Sequence, residues 1–204
     1  MNNLAFGDNM PSAGNMYLRM KEKGDQIQFR LAQDPVYTGK HFTQKEDKTW
    51  DVVGCPRINA QEECDMCNLF FAAKAEQKKL KEAKDPTLQE QIDGLDVECR
   101  KFNPSTTFYF PVLNRDTGKM GVLQTTMGTR NKINEFHEAG TDVFTKDFVL
   151  RNTGKPGKER YSLTIVDSAD TAVFTPEEEV EFEKAKSYDT MQINDGSSQS
   201  DEIE

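Results

Sequence analysis

Apolar and polar residues alternate between positions 26 and 31. Ile27, Phe29 and Leu31 fall on one side of the alternation, which has the two-residue period of a strand with one buried face. A Lys-Gly-Asp turn precedes this run, and Tyr17 lies in a further apolar stretch before the turn. The pattern therefore predicts a β-hairpin over residues 17–31.

Strand signals return after position 105, beyond a long helical stretch. Runs rich in β-branched and aromatic residues alternate there with turn-forming residues, and one apolar run has helical spacing and ends at Gly140. These patterns predict strands at 106–110 and 120–125, a helix at 129–139, and a hairpin of strands 148–151 and 161–166 joined by the loop 152–160.

The stretch 68–98 has the composition of a helical insertion. Its apolar residues recur at helical spacing among lysines and glutamates, and Pro86 divides it because proline cannot continue a helix. A second helix is predicted over 87–95, closing near Gly94. Strands interrupted by helices place the chain in a mainly β class with inserted helices, an α+β fold.

The two ends of the chain differ in composition from the part between them. Residues 1–15 are rich in Asn, Gly, Ser and Pro, which predicts a flexible arm before a core at 16–168. Thr175 and Glu178 have the spacing of a capping box. Residues 169–204 are therefore predicted to form an acidic helix followed by a disordered tail.

Charge is distributed unevenly along the chain. The net charge is −9, but residues 176–204 contain ten acidic residues against two lysines and account for −8 of it. The body is nearly neutral, so it can carry a basic groove if its cations gather on one face.

Composition also bears on location. No run reaches the roughly 18 apolar residues of a membrane span, and the first residues lack the pattern of a signal peptide. We therefore expect a cytoplasmic protein, in which cysteines are reduced and available as metal ligands.

The cysteines have a spacing that indicates a metal site. Cys55, Cys64 and Cys67 follow each other as Cys-x8-Cys-x2-Cys, and a Cys-x2-Cys turn directs two thiolates at one tetrahedral ion. The alternative is a set of reduced, partly buried cysteines without a ligand. A structural zinc ion is predicted, with either His41 or Cys99 as its fourth ligand.

Catalytic patterns are not found in the sequence, and we do not expect an enzyme. No glycine-rich phosphate loop occurs, and His137 stands alone on a predicted helix. A zinc deaminase requires a glutamate two positions after its histidine, and the residue two positions after His41 is a threonine.

The order of these residues resembles that of the zinc-binding single-stranded-DNA-binding proteins of tailed phages. In that family a histidine stands before the first cysteine, an aromatic-containing strand lies between them, and a short loop ends in Cys-x2-Cys. The same order is found here, from His41 through Trp50 to the three cysteines. The resemblance covers most of residues 16–168 and favours His41 over Cys99 as the fourth ligand.

The resemblance implies a fold and a metal site. The fold would be an OB-type β-barrel with a helical insertion and a zinc-binding subdomain at about 41–99. The zinc ligands would be His41, Cys55, Cys64 and Cys67.

The resemblance also implies a function. The protein would coat and protect single-stranded DNA during phage DNA replication, recombination and repair, in the cytoplasm of an infected bacterial host. Its acidic tail would recruit replication, recombination or repair proteins. The alternative is a zinc-containing adaptor that docks on a polymerase or replication protein without binding nucleic acid.

Cations interleaved with aromatic residues mark candidate contacts to an unpaired strand, because cations hold phosphates and rings stack on bases. In the run 108–110, alternation places both phenylalanines on one face and the tyrosine on the other, and either face can be core. The candidate contacts are Lys48, Trp50, Arg57, Arg100, Lys101, Phe108, Phe110, Arg130, Lys132, Arg151, Lys155, Lys158, Arg160 and Tyr161.

Overall fold

The computed structural model describes residues 16–44, 49–155, 157–166 and 173–189. The predicted arm, the segment after residue 189 and Lys48 lie outside the described residues, as do the side chains of Trp50 and Lys158. Contacts divide the chain into two units. We call them the sheet unit, described over 16–36 and 108–189, and the insert unit, residues 37–107.

The described residues form a mixed α/β fold. In chain order the strands are β1 (Tyr17–Leu18), β2 (Gln26–Leu31), β3 (Val36–Gln44), β4 (Trp50–Gly54), β5 (Ser105–Asn114), β6 (Lys119–Thr126), β7 (Asp147–Asn152) and β8 (Tyr161–Val166). The helices are α1 (Pro56–Asn59), α2 (Asp65–Ala83), α3 (Gln89–Phe102), α4 (Met127–Glu138) and α5 (Pro176–Lys186).

An open sheet is the framework of the sheet unit. Across the described residues its strands follow the order β1-β6-β5-β2-β7-β8, with β1 and β8 at the two ends. β2 pairs antiparallel with both β5 and β7. Phe29 and Leu31 of β2, together with Phe148 and Leu150 of β7, are almost fully excluded from solvent. The predicted strand at 26–31 is therefore confirmed, with the face that alternation assigned to the core.

The pairing of β1 corrects the predicted hairpin over 17–31. β1 runs parallel to β6, with Tyr17 opposite Val122, and within the described sheet it does not neighbour β2. The turn before β2 adjoins the β7–β8 loop instead, where the Gly24 N–H donates to the Asn152 carbonyl oxygen at 2.8 Å. A turn is a local signal, whereas the partner of a strand depends on residues far away in the chain.

α2 and α3 form the helical hairpin that the composition of 68–98 predicts. α3 continues through Gly94 as far as Phe102, so the predicted end near Gly94 is wrong. Ile92 and Cys99 are buried two turns apart on this helix. Their packing outweighs the cost of about 1 kcal/mol for a glycine inside a helix.

α5 begins at the predicted capping box. The Thr175 side chain accepts from the Glu178 N–H at 3.2 Å, and the Glu178 carboxylate accepts from the Thr175 N–H at 2.9 Å, which confirms the motif. Phe182 and Ala185 are buried, and Glu178 also pairs with Arg115 at 2.7 Å. The first part of the acidic C-terminal stretch is therefore a folded part of the sheet unit.

A buried carboxylate lies beneath the start of α5. Asp147 accepts from Arg30 Nε at 2.6 Å and from Arg115 Nε at 3.0 Å, and its side chain has no exposed surface. The Phe174 ring lies 4.7 Å from the Arg30 guanidinium carbon and 5.2 Å from that of Arg115. Asp147 is paired with two guanidinium groups, as a buried charge must be. The contacts of the Phe174 ring with the same groups hold the residues before α5 on the sheet.

Candidate metal centre and nucleic-acid interface

His41 approaches the metal-ligand cluster from β3. It stands opposite Val53 in the antiparallel β3–β4 pair and is 1% exposed. Its Nδ1 lies 3.1 Å from the carbonyl oxygen of Phe102, at the end of α3. A carbonyl only accepts, so Nδ1 carries the proton and donates, which leaves the Nε2 lone pair for a metal.

Helix starts position the three cysteines. Cys55 is the N-cap of α1 and Cys64 is the N-cap of α2, and neither side chain caps its helix. Cys67 lies in the first turn of α2. The Cys-x2-Cys spacing across a helix start therefore brings two sulfur atoms to one place, as the sequence predicts.

Gly39 and Asn59 hold α1 against β3. The Asn59 side chain accepts from the Gly39 N–H at 2.6 Å and donates to its carbonyl oxygen at 3.0 Å. The Cys55 N–H also donates to the Gly39 carbonyl oxygen at 2.8 Å. A Cβ atom at position 39 would lie 2.4 Å from the Cβ of Ile58, so the close approach requires glycine. This packing brings Cys55 to the strand that carries His41.

The four donor atoms, which we call the metal cluster, have the spacing of a tetrahedral site. All lie within 4.8 Å of one another. Cys55 Sγ is 4.0 Å from Cys64 Sγ and 3.4 Å from Cys67 Sγ. His41 Nε2 is 3.3 Å from Cys64 Sγ and 3.6 Å from Cys67 Sγ. Ordinary zinc bonds require sulfur–sulfur edges of about 3.8 Å and sulfur–nitrogen edges of about 3.6 Å. The residues therefore fit a metal ion.

Three thiols in one buried pocket favour a cation. The pKa of Cys67 is raised to about 12, first by burial and then by the sulfur atoms of Cys55 and Cys64. Burial also acts to raise the pKa of Cys64, but hydrogen bonds from the N–H group and side chain of Cys67, the side chain of Cys55 and the N–H group of Met66 together outweigh it, and the pKa is lowered. A divalent ion would stabilise all three thiolates.

The fourth donor of the metal cluster is His41. Cys99 is buried on α3, at 4% exposure, and is not a member of the cluster formed by the described residues. Cysteine spacing alone left His41 and Cys99 as alternatives, and the position of β3 selects His41.

Two turns of the sheet unit meet and carry cations; we call residues 21–25 and the described residues of 151–161 the paired turns. The Asn152 N–H donates to the Asp25 carbonyl oxygen at 2.8 Å. Gly154 has a φ of +73°, and a Cβ there would lie 2.7 Å from Lys23 Cγ. Lys23, which the sequence analysis missed, therefore joins the predicted cations of the β7–β8 loop. Lys23 reaches the β7–β8 loop only through tertiary contact.

Tyr161 lies where the β7–β8 loop enters β8. Its ring centroid is 5.5 Å from the Arg160 guanidinium carbon, and Lys132 of α4 donates from Nζ to its carbonyl oxygen. Arg151 is exposed on β7, opposite Ser162. The structure therefore brings these predicted contact residues together at one end of the β7–β8 hairpin.

The aromatic run of β5 is buried on both faces. Phe108 and Phe110 are 6% and 2% exposed and belong to the main core with Phe29. Tyr109 is 7% exposed and packs in a second cluster with Val122. Neither phenylalanine presents a ring face to solvent, so the expected stacking of Phe108 and Phe110 on bases is not available in this conformation.

The remaining predicted contact residues are dispersed. Arg57 is exposed in the insert unit, and Arg100 and Lys101 are exposed near the end of α3. Arg130 is partly buried on α4, and Lys155 is exposed and pairs with Glu159 at 3.0 Å.

In comparisons with known proteins, no family model, curated protein or solved structure matches the chain. Within the described part of the chain, no helix has both the length and the apolar character needed to cross a membrane. Function is therefore inferred from the side chains of the metal cluster and of the paired turns.

Proposed function

We propose that the protein binds single-stranded DNA and has no catalytic activity. The supporting observation is the paired turns, where exposed Lys23, Arg151 and Arg160 occupy adjoining segments of the sheet unit, beside the Tyr161 ring, which is partly buried against the main core. Cations hold the phosphates of a strand, and a ring stacks on an unpaired base. A duplex does not offer such bases, because they are stacked and paired within the helix.

The metal is proposed to be zinc in a structural role. Three thiols and one imidazole supply a complete tetrahedral set, and every donor residue is at most 5% exposed. A catalytic zinc keeps an open position for water or substrate, whereas four protein ligands close the site. The zinc would hold α1, α2 and β3 together.

The wider role is proposed from the resemblance to the phage proteins. The open sheet would be of the OB type, and the protein would coat DNA during phage replication, recombination and repair in the cytoplasm of the infected host. Residues 190–204 carry four acidic residues and no basic one, so they would recruit partner proteins. α5 is less suited to that task because its buried face is already packed on the sheet unit.

Fluorescence anisotropy of labelled oligo-dT tests this proposal. We expect the full chain to bind the single strand more tightly than a duplex of equal length, with affinity that falls as salt rises. Arg160→Ala should weaken binding and reduce the salt slope by about 0.7, the value for one phosphate contact in a single strand. Lys79→Ala, an exposed cation on α2, is the matched control. Absence of binding even in dilute buffer would reject the proposal.

A second candidate is the zinc-containing adaptor. It is favoured by Leu69 and Val97, which are 51% and 65% exposed on the helical hairpin of the insert unit. Exposed apolar side chains mark protein contacts where they form a contiguous patch, and the adaptor would use such a patch on this hairpin. The adaptor predicts no salt-dependent shift of oligo-dT, so the same titration separates the two functions.

A further inference from the structure

An aromatic–cation arrangement lies on the insert unit. The Arg57 guanidinium carbon is 5.3 Å from the Phe71 ring centroid, and Arg57 Nη2 donates to Asn68 Oδ1 at 2.7 Å. Phe70 meets Phe71 edge to face at 5.3 Å, and Lys74 Nζ lies 6.0 Å from the Phe70 ring. We call these five residues the ring platform.

Phe71 does not fill the core. Its side chain is 49% exposed, whereas Ala73 and Gln77 of the same helix are buried. Helical spacing places Phe71 on a different side of α2 from these two residues. The ring is therefore presented to solvent and contacts a cation, the condition under which aromatic side chains bind unpaired bases.

The metal cluster positions the ring platform. Arg57 follows the ligand Cys55 by two residues in α1, and Asn68 and Phe71 lie on α2, which begins after the ligand Cys64. A metal that joins the two cysteines fixes the starts of both helices. It thereby fixes the distance between the guanidinium group and the ring.

We propose that the ring platform is a second binding site for a single-stranded nucleic acid, with Phe71 stacked on one unpaired base and Arg57 bound to the adjoining phosphate. The pairing of each ring with a cation favours this occupant, because a strand supplies a base for the ring and a phosphate for the cation. The inference rests on the proposed function, since it assigns a further contact to single-stranded nucleic acid.

Anisotropy titration of labelled oligo-dT with the full, metal-loaded chain tests the site. Phe71→Ala should weaken binding by about tenfold or more, and Phe71→Tyr should retain the affinity of the wild type. Leu69→Ala removes an equally exposed apolar side chain from the same helix and should change affinity less than about twofold. Each variant is checked for metal content and for its circular dichroism spectrum.

The outcomes separate this inference from the proposed function. A wild-type chain that does not bind oligo-dT overturns both, whereas binding that Phe71→Ala leaves unchanged overturns the ring platform alone. Equal losses of affinity in Phe71→Ala and Leu69→Ala would show that binding does not depend on stacking by the Phe71 ring, and a dimer that both variants abolish would assign the surface to a second copy of the chain; either result overturns the platform. If Phe71→Ala loses its metal, Arg57→Gln is titrated with oligo-dT instead. Affinity and salt slope equal to those of the wild type would then reject the site.

Discussion

His41 and Cys99 differ in where they lie relative to the three thiols, and this position decides which of them joins the metal cluster. Both are buried, at 1% and 4% exposure, and both side chains can coordinate zinc. The carbonyl oxygen of Phe102 holds Nδ1 of His41, so that Nε2 points to the thiols of Cys64 and Cys67. Cys99 is buried on α3 and does not belong to the metal cluster of the described residues.

Exchange of one sulfur for oxygen tests this assignment. We expect Cys67→Ser to lose bound zinc after dialysis, because a serine hydroxyl is a poor ligand for zinc at neutral pH. Cys99→Ser is the matched control and should keep one zinc per chain. Metal analysis of the purified variants measures both. Zinc loss from Cys99→Ser with retention in Cys67→Ser would contradict the ligand set.

The carboxylate of Glu181 forms pH-dependent hydrogen bonds. It accepts from Lys184 Nζ at 2.7 Å and from the Met120 N–H at 3.0 Å. The hydrogen bond from Lys184, followed by that from Met120, lowers the pKa of Glu181. A carboxylate whose pKa is lower in the folded state stabilises the fold at pH values above its ordinary pKa. This contribution is lost as the pH falls through the lowered pKa.

We therefore expect Glu181→Gln to lower the free energy of unfolding at neutral pH and to have no effect in acid. Urea unfolding of both proteins at about pH 7 and about pH 3 measures the difference between them. A difference that is the same at both pH values would show that the charge of Glu181 does not stabilise the fold.

Among the elements, packing against neighbours decided more than local preference did. Two elements depart from their predicted form: α3 passes through Gly94, and β1 joins β6 in parallel instead of forming a hairpin with β2. The short helix α1 has little intrinsic stability at four residues, and its place depends on contacts with β3.

Gly39→Ala tests the contact between β3 and α1. The added methyl group would meet the Cβ of Ile58 at 2.4 Å, and a close contact at a Cβ cannot be relieved by rotating the side chain. We expect a loss of about 1–3 kcal/mol in the free energy of unfolding, measured in urea with zinc present. Gly94→Ala is the control, since nothing lies within 4 Å of its added Cβ. It should stabilise α3 by about 0.5–1 kcal/mol. Equal effects of the two substitutions would contradict the packing argument.

At the scale of the whole molecule, the two units have different sources of stability. The main apolar core consists of residues of the sheet unit, including Phe29, Phe110 and Phe148. In the insert unit the buried cluster around Cys55 consists of metal ligands with Ile58 and Met66 packed against them. A metal bound to these ligands would therefore stabilise the insert unit above all, because the free energy of binding adds to that of folding.

Removal of the metal should loosen one unit selectively. After treatment with a chelator, we expect backbone amides in 37–107 to lose protection from hydrogen exchange, while amides of β2 and β7 keep theirs. Hydrogen–deuterium exchange with mass spectrometry measures this segment by segment. Protection lost equally from β2, β7 and the insert unit would show that the metal stabilises the chain as a whole.

Features that depend on near neighbours in the chain could be predicted from the sequence. Alternation predicted β2, the capping box predicted the start of α5, and Cys-x8-Cys-x2-Cys predicted three donors of one site. Each of these patterns lies within one short segment, so local backbone geometry alone brings its residues together.

Contacts between distant residues could not be predicted and depend on the folded structure. The fold pairs β1 with β6, buries Phe108 and Phe110, and brings Lys23 to the β7–β8 loop. These outcomes depend on how well remote surfaces pack and on which polar groups find partners. No spacing along the chain encodes them.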